Sequence, residues 1–371
     1  MSETAHSPLQ RLSALGQSVW VDFLSRELIH GGGLQGLIDD DAVEGATTNP
    51  TIFQKAMSEG NAYDEQLSEL IAQGMDSDAA FWVMAEQDVK DACEVFAPVH
   101  ERTGQRDGFV SLEVDPRLAY DTLATFREAM RLHDGVDRRN LFVKIPATKP
   151  GLAAIEDAIA KGRSINVTLI FSLRRYAEVA ESYTRGVERL IAEGGDPRAV
   201  ASVASFFVSR IDTEADRRLD AIGGHDELKG KLAVANAKLA YQHYLETFSG
   251  PRWEFLAAKG AKPQRVLWAS TSTKNPDYPD IKYVEELIGQ HTVNTMPEDT
   301  IRDYQDHGDP QPRLVSGLEE AHAVFEQLAA AGVDYDDVTD TLEREGVEKF
   351  ASSFDELLSS LRAKRESLAP A

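Results

Sequence analysis

Several short apolar stretches of this chain each carry polar residues of kinds that do chemistry. Leu141-Phe142-Val143-Lys144-Ile145-Pro146-Ala147 sets a lysine inside a run of strand-forming residues. Alternation places Phe142, Lys144 and Pro146 on one face and Leu141, Val143, Ile145 and Ala147 on the other. Lysine is rarely buried without a reason, and an amine withdrawn from water is a nucleophile that forms imines with carbonyls. A solvated lysine on an edge strand explains the segment, taken alone, equally well. In Val19-Trp20-Val21-Asp22-Phe23 and Phe109-Val110-Ser111-Leu112-Glu113-Val114, Asp22 and the pair Ser111 and Glu113 oppose apolar faces. Asn166 and Thr168 do the same in Ile165-Asn166-Val167-Thr168-Leu169.

Further stretches end on polar groups. Thr47, Thr48 and Asn49 precede Pro50; Ser205, Phe207 and Ser209 alternate against Phe206 and Val208, with Arg210 next; Ser270 and Ser272 are followed by Lys274. Singly, such residues are helix caps, turn formers or surface ion pairs, and Asp115-Pro116 fits a cap well. Jointly, an amine, carboxylates, amides and hydroxyls on one face of consecutive strands define a polar active site. One carboxylate there can assist imine formation and another can move the proton of a hydroxyl, while Arg210 and Lys274 are available to a phosphate.

Other chemistries lack support. The nine histidines include no H-x-x-x-H pair, and there is no GxSxG, GxxxxGK[ST] or credible GxGxxG. The single cysteine, Cys93, excludes an intrachain disulfide. Its spacing from Val89, Ala92 and Phe96 is that of a core helix.

The elements that must position these groups alternate between strand and helix, the pattern of a parallel sheet. Strands are predicted over residues 19–25, 45–48, 109–114, 141–147, 165–171, 202–209, 265–271 and 292–296, the strand number of a (β/α)8 TIM barrel. Helices are predicted over 117–133, over 152–161 behind Pro150-Gly151, over 173–193 with Ser172 as its cap, and over 350–362. Residues 31–33 read as a turn and 306–312 as a loop. No linker divides the chain, so residues 1–371 are expected to form one barrel domain, with helical additions near 54–103, 212–262 and 298–371. Barrel enzymes place their chemistry at the C-terminal ends of the strands, where these polar residues fall.

A net charge of −23 argues against a nucleic-acid binder but permits a local basic pocket for a small phosphorylated molecule. Met1-Ser2-Glu3-Thr4-Ala5-His6 carries no basic-then-apolar signal and no run is long enough to span a membrane, so a cytoplasmic protein without a membrane partner is expected.

The chain resembles transaldolase, of the class I aldolases. The resemblance lies in Val21-Asp22, Gly45-Ala46-Thr47-Thr48-Asn49-Pro50, Val110-Ser111-Leu112-Glu113-Val114-Asp115, Val143-Lys144-Ile145-Pro146-Ala147-Thr148, Ile165-Asn166-Val167-Thr168-Leu169-Ile170-Phe171-Ser172, Phe207-Val208-Ser209-Arg210 and Trp268-Ala269-Ser270-Thr271, in family order. It implies that Lys144 forms a Schiff base with C2 of a ketose phosphate, such as fructose 6-phosphate or sedoheptulose 7-phosphate. Glu113, through a water held with Thr168, would shuttle protons, and Asp22 would deprotonate the C4 hydroxyl. The retained dihydroxyacetone unit would then attack glyceraldehyde 3-phosphate or erythrose 4-phosphate, in the pentose phosphate pathway. Thr47, Asn49, Asn166, Ser205 and Phe207 would line the donor site, and Arg210 with Ser270 would hold the phosphate. The resemblance implies no metal and no organic cofactor, because the iminium itself accepts the electrons. Family members commonly carry a second arginine where this chain has Ser272; Lys274 would supply that charge, as in the longer branch of the family. Oligomeric state varies across the family, so a homo-oligomer is possible. A fructose-6-phosphate aldolase resembles the chain too, but carries glutamine and tyrosine where Glu113 and Phe207 stand. A non-catalytic sugar-phosphate-binding barrel would be expected to have lost Lys144, Asp22 or Glu113.

Overall fold

The computed structural model describes residues 6–58 and 60–368. Of the N-terminal stretch read for a signal, Met1–Ala5 lie outside the described residues. Eight parallel strands close into a barrel in sequence order: β1 (Gln17–Val21), β2 (Val43–Ala46), β3 (Phe109–Glu113), β4 (Leu141–Pro146), β5 (Ile165–Ile170), β6 (Ser202–Phe207), β7 (Arg265–Ala269) and β8 (Thr292–Met296). Helices separate them, so the chain is a (β/α)8 barrel with added helices.

Except for β8, each strand ends before its predicted boundary. Past these ends the chain turns out of the sheet and leaves the regular ladder, whether the next residue is polar, as Asp22 and Thr47 are, or apolar, as Val114, Ala147 and Phe171 are. Asp22 and Thr47 still donate main-chain N–H groups, to Met296 and Val21, both at 2.8 Å. Ser270 turns into the left-handed region with φ of 56°. Ser209, predicted as the last residue of the sixth strand, is instead the first residue of the helix Ser209–Ile222, which places Arg210 on that helix.

The barrel interior is layered. Trp20, Phe109 and Phe142 stack across its lower half, with ring centroids 6.0 Å apart for Trp20–Phe142 and 4.0 Å for Phe109–Phe142. Gly45 is required beside them, since a Cβ there would fall 2.6 Å from the Trp20 ring. Asp107 plugs the bottom, accepting from Trp20 Nε1 at 3.0 Å, Ser18 Oγ at 2.9 Å and Arg265 Nη2 at 2.8 Å. The polar layer of Glu113, Lys144 and Asn166 lies above this apolar floor.

The helices differ from expectation at their ends. The predicted 117–133 helix is two pieces, a 3-10 turn Pro116–Leu118 capped by Asp115 and the helix Thr122–Val136 capped by Asp121. The helix after β4 starts at Lys149 under a Thr148 cap, because Pro150 fits a first turn where no N–H is needed. Leu173–Ala192 does carry Ser172 as its cap. Asp306 and His307 belong to the helix Glu298–His307 rather than to a loop. Residues 31–33 turn through a left-handed Gly32 between two short helices.

The largest departure is the predicted 350–362 helix, which is the middle of a 34-residue helix, Tyr335–Leu368. It packs along the helix Pro50–Ser58, where Thr51 Oγ1 donates to Ser353 Oγ at 2.9 Å. Phe354 sits edge-on to Phe81 at 5.2 Å. A Cβ on Gly346 would meet Leu169 Cδ2 at 3.0 Å, so the missing side chain lets this helix press against the end of β5. The helix thereby crosses the C-terminal mouth of the barrel.

Candidate active site

Strand register brings the central groups together. Glu113 pairs with Lys144 across β3 and β4, Lys144 pairs with Asn166 across β4 and β5, and Thr168 is level with Pro146. Lys144, Glu113, Asn166 and Thr168 are all buried. Lys144 Nζ lies 3.2 Å from Glu113 Oε2 and donates to the Thr48 carbonyl at 2.8 Å. Neither Glu113 oxygen nor Thr168 Oγ1 has a hydrogen-bond partner among the described residues. Asn166 is held from both sides: Ser205 Oγ donates to its Oδ1 at 2.6 Å, and its Nδ2 donates to Ser111 Oγ at 3.1 Å.

Asp22 sits at the rim beyond β1. Its Oδ1 accepts from Thr47 Oγ1 at 2.7 Å, and Thr47 lies 2.7 Å from Thr295 Oγ1. A cavity of about 460 Å³ opens beside Asp22, lined also by Ser25, Arg26, Lys55 and Tyr63. Asn49 is placed differently from the other amide: its Oδ1 accepts from Ile52 N at 3.0 Å and caps the following helix. Turn chemistry therefore accounts for that oxygen.

A second cluster lies past β6 and β7. The Arg210 guanidinium stands 5.3 Å from the centre of the Phe207 ring, which packs on Phe171 at 5.2 Å. Ser270 Oγ lies 3.0 Å from Ser209 Oγ at the start of the helix that carries Arg210. Lys274 is exposed, with Nζ 2.7 Å from Ser272 Oγ.

Burial dominates the electrostatics of the carboxylates. It raises the pKa of Glu113, against the pull of Lys144 and with help from Asp22. Burial also raises the pKa of Asp22, opposed by Lys144, the Thr47 hydrogen bond, Arg210 and Lys274 in that order. Burial lowers the pKa of Arg210, with Asp22 and Glu345 acting the other way.

Sequence reasoning missed residues that the C-terminal helix delivers. The buried Phe350 ring lies 5.9 Å from Lys144 Nζ and closes the site from above. Its neighbour Lys349 has a lowered pKa, caused first by the positive charge of Arg210, then by burial and Lys274. Three cations therefore converge on one side of the mouth. Thr295 was also missed. Its only signal is a hydroxyl beside Asn294 near the end of β8, Thr292-Val293-Asn294-Thr295-Met296.

Fold and site together define a (β/α)8-barrel protein with an interior lysine against one carboxylate and a second carboxylate at the rim. The sequence model of the transaldolase/fructose-6-phosphate aldolase family matches residues 19–361. A transaldolase of Acidothermus cellulolyticus is 53% identical over 366 residues, covering 97% of this chain and 98% of its own. A transaldolase of Mycobacterium tuberculosis is 52% identical over 371 residues, covering 99% and 100%. One of Saccharopolyspora erythraea is 52% identical over 360 residues, covering 97% and 98%. The chain belongs to the transaldolase/fructose-6-phosphate aldolase family.

Proposed function

We propose that this chain is a transaldolase, a transferase that moves a dihydroxyacetone unit from a ketose phosphate to an aldose phosphate through a Schiff base on Lys144. Near-full-length relatives that carry that name at 52–53% identity support the activity. The observation that carries the mechanism is the buried Lys144 amine, 3.2 Å from Glu113 at the C-terminal end of its strand.

Glu113, whose proton affinity is raised by burial, takes a proton from Lys144 and frees its lone pair. The amine attacks the C2 carbonyl, and the carbinolamine loses water to give an iminium. The unpaired Glu113 and Thr168 oxygens support a water-mediated proton path for that loss. Asp22 takes the C4 hydroxyl proton, the C3–C4 bond breaks, and its electrons enter the iminium to give an enamine. The departing aldose phosphate is replaced by an acceptor, whose aldehyde carbon the enamine attacks; hydrolysis of the new iminium returns Lys144. Asn166 and Ser205 line the donor's path. Arg210, at the start of a helix whose N–H groups favour anions, suits the phosphate together with Ser270 and Lys274 from the segment after β7.

The same reading takes residues 1–371 as one domain, supported by the apolar cluster that runs from Leu9 to Leu361. It makes sugar phosphates the partners and the cytoplasm the setting; no helix of the described residues is long and apolar enough to cross a membrane. Borohydride added with fructose 6-phosphate is expected to fix a three-carbon adduct on the Lys144 peptide, read by mass spectrometry. An unmodified peptide from folded protein would exclude the mechanism. Release of free dihydroxyacetone at full rate without an aldose phosphate acceptor would instead make the chain the family's aldolase.

A further inference from the structure

The other end of the barrel carries a cavity of about 740 Å³ that the proposed reaction does not use. It is built by the helix ends and loops that lead into the strands: His100 and Gln105 before β3, Arg138 and Arg139 before β4, Arg163 and Ser164 before β5, Arg198 before β6, and Lys262 before β7. In a chain of net charge −23, this hollow gathers five cations against two lining carboxylates, Asp137 and Asp196.

The charges are only partly matched. Arg138 reaches Glu94 at 2.6 Å, Arg198 reaches Asp196 at 2.9 Å, and Arg163 pairs with Asp134. The Arg138 and Arg163 pairs are single surface contacts of the kind that contributes little, so those two guanidinium groups are free to turn to a stronger anion, whereas Arg198 grips Asp196 with two nitrogens. Arg139 forms no ion pair or side-chain hydrogen bond among the described residues. Arg163 Nε is buried without an acceptor. Among the described residues the only partner of Lys262 Nζ is the Gln105 carbonyl at 3.5 Å, although burial disfavours its charge. The two histidines add no charge: their ring nitrogens bond the Asp107 and Ser164 carbonyls, and burial lowers the pKa of both.

Helix C-termini cluster at this end of a barrel and favour basic residues nearby. That explains why cations follow the helices. It does not explain their convergence on one concavity with a buried donor and two unmatched charges.

We propose that the N-terminal face of the barrel holds a second anion site, for a small molecule bearing two or more phosphate groups. Its volume is that of a small-molecule pocket, and its donors are guanidinium groups, which suit phosphate. Pyrophosphate is the probe, titrated calorimetrically into the full chain and into the Arg210→Ala variant, which weakens the phosphate cluster of the active site. Binding in both is expected, with affinity about tenfold or more lower in Arg139→Gln/Lys262→Gln, the loss typical of charge-assisted hydrogen bonds. Thermal melting checks that the charge-neutral double variant is folded, and Arg163→Lys, which removes the buried Nε, supplies an independent weakening. Displacement by ATP or by a sugar bisphosphate assigns the phosphate carrier, and either supports the site. Absent binding to the parent chain, or binding unchanged in both Arg139→Gln/Lys262→Gln and Arg163→Lys, overturns it.

Discussion

Lys144 Nζ sits 3.2 Å from Glu113 Oε2 without the alignment of a hydrogen bond, while its aligned bond goes to the Thr48 carbonyl. The carboxylate is thus held as a neighbour of the amine rather than locked to it. Its lone pairs remain open to a proton that must move twice, once off the amine and once onto the departing hydroxyl. Glu113→Gln keeps the shape and removes the base. Imine formation and hydrolysis should slow by about 10²–10⁴-fold, the usual contribution of a general acid/base. Single-turnover trapping with borohydride measures this directly, and an unchanged trapping rate would remove Glu113 from the role.

Asp22 has to be ionised to take a hydroxyl proton, and burial raises its pKa. The acid limb of kcat/KM should therefore lie above the ordinary carboxylate range. Arg210 and Lys274 pull that pKa down, so Arg210→Ala and Lys274→Ala should each move the limb to higher pH. They should also raise KM for phosphorylated donors. Asp22→Asn should stop carbon–carbon cleavage, so borohydride should trap the intact six-carbon donor on Lys144 in place of the three-carbon unit. A pH profile that ignores both cations would place the titrating group elsewhere.

Phe350 links two jobs, packing the C-terminal helix and covering the amine at 5.9 Å. Phe350→Ala should cost roughly 3–5 kcal/mol of stability as a buried aromatic truncation. It should also admit water above the enamine, raising release of dihydroxyacetone relative to transfer. The ratio of the two products separates this from simple instability, which would lower both together.

The same helix shows where the sequence was legible and where it was not. Strand alternation placed Glu113, Lys144, Asn166 and Thr168 on one interior face because period-two alternation is local. The rim was harder. Asp22, Arg210, Ser270 and Lys274 lie on turns or helix starts, where loop geometry rather than alternation aims a side chain. The predicted C-terminal helix starts at Phe350, where the apolar spacing of Phe354, Leu357, Leu358 and Leu361 begins; upstream, Gly346 lowers the helix propensity. Tertiary packing overrides that weak propensity: Gly346 allows close approach to Leu169, and Arg175 pairs with Glu343 at 3.2 Å. Asn49 shows the converse, since its Asn-Pro context reads as turn chemistry and its side-chain oxygen caps a helix.

His133 makes a prediction independent of catalysis. It is buried in the helix Thr122–Val136, with Nε2 3.0 Å from the Ser164 carbonyl. Burial, and the nearby Arg163 charge, lower its pKa from 6.5 to about 4, with the Ser164 bond and Asp134 opposing. The folded chain therefore binds this proton less readily than the unfolded chain. The stabilising contribution is fully present above the ordinary value of 6.5 and disappears as the pH falls from there toward about 4. The loss amounts to about 3 kcal/mol. His133→Gln retains a donor for Ser164 but cannot titrate, so its stability should fall less steeply across that window. Chemical denaturation of both chains from neutral pH down to acid tests this, and equal slopes would show that other groups carry the acid sensitivity.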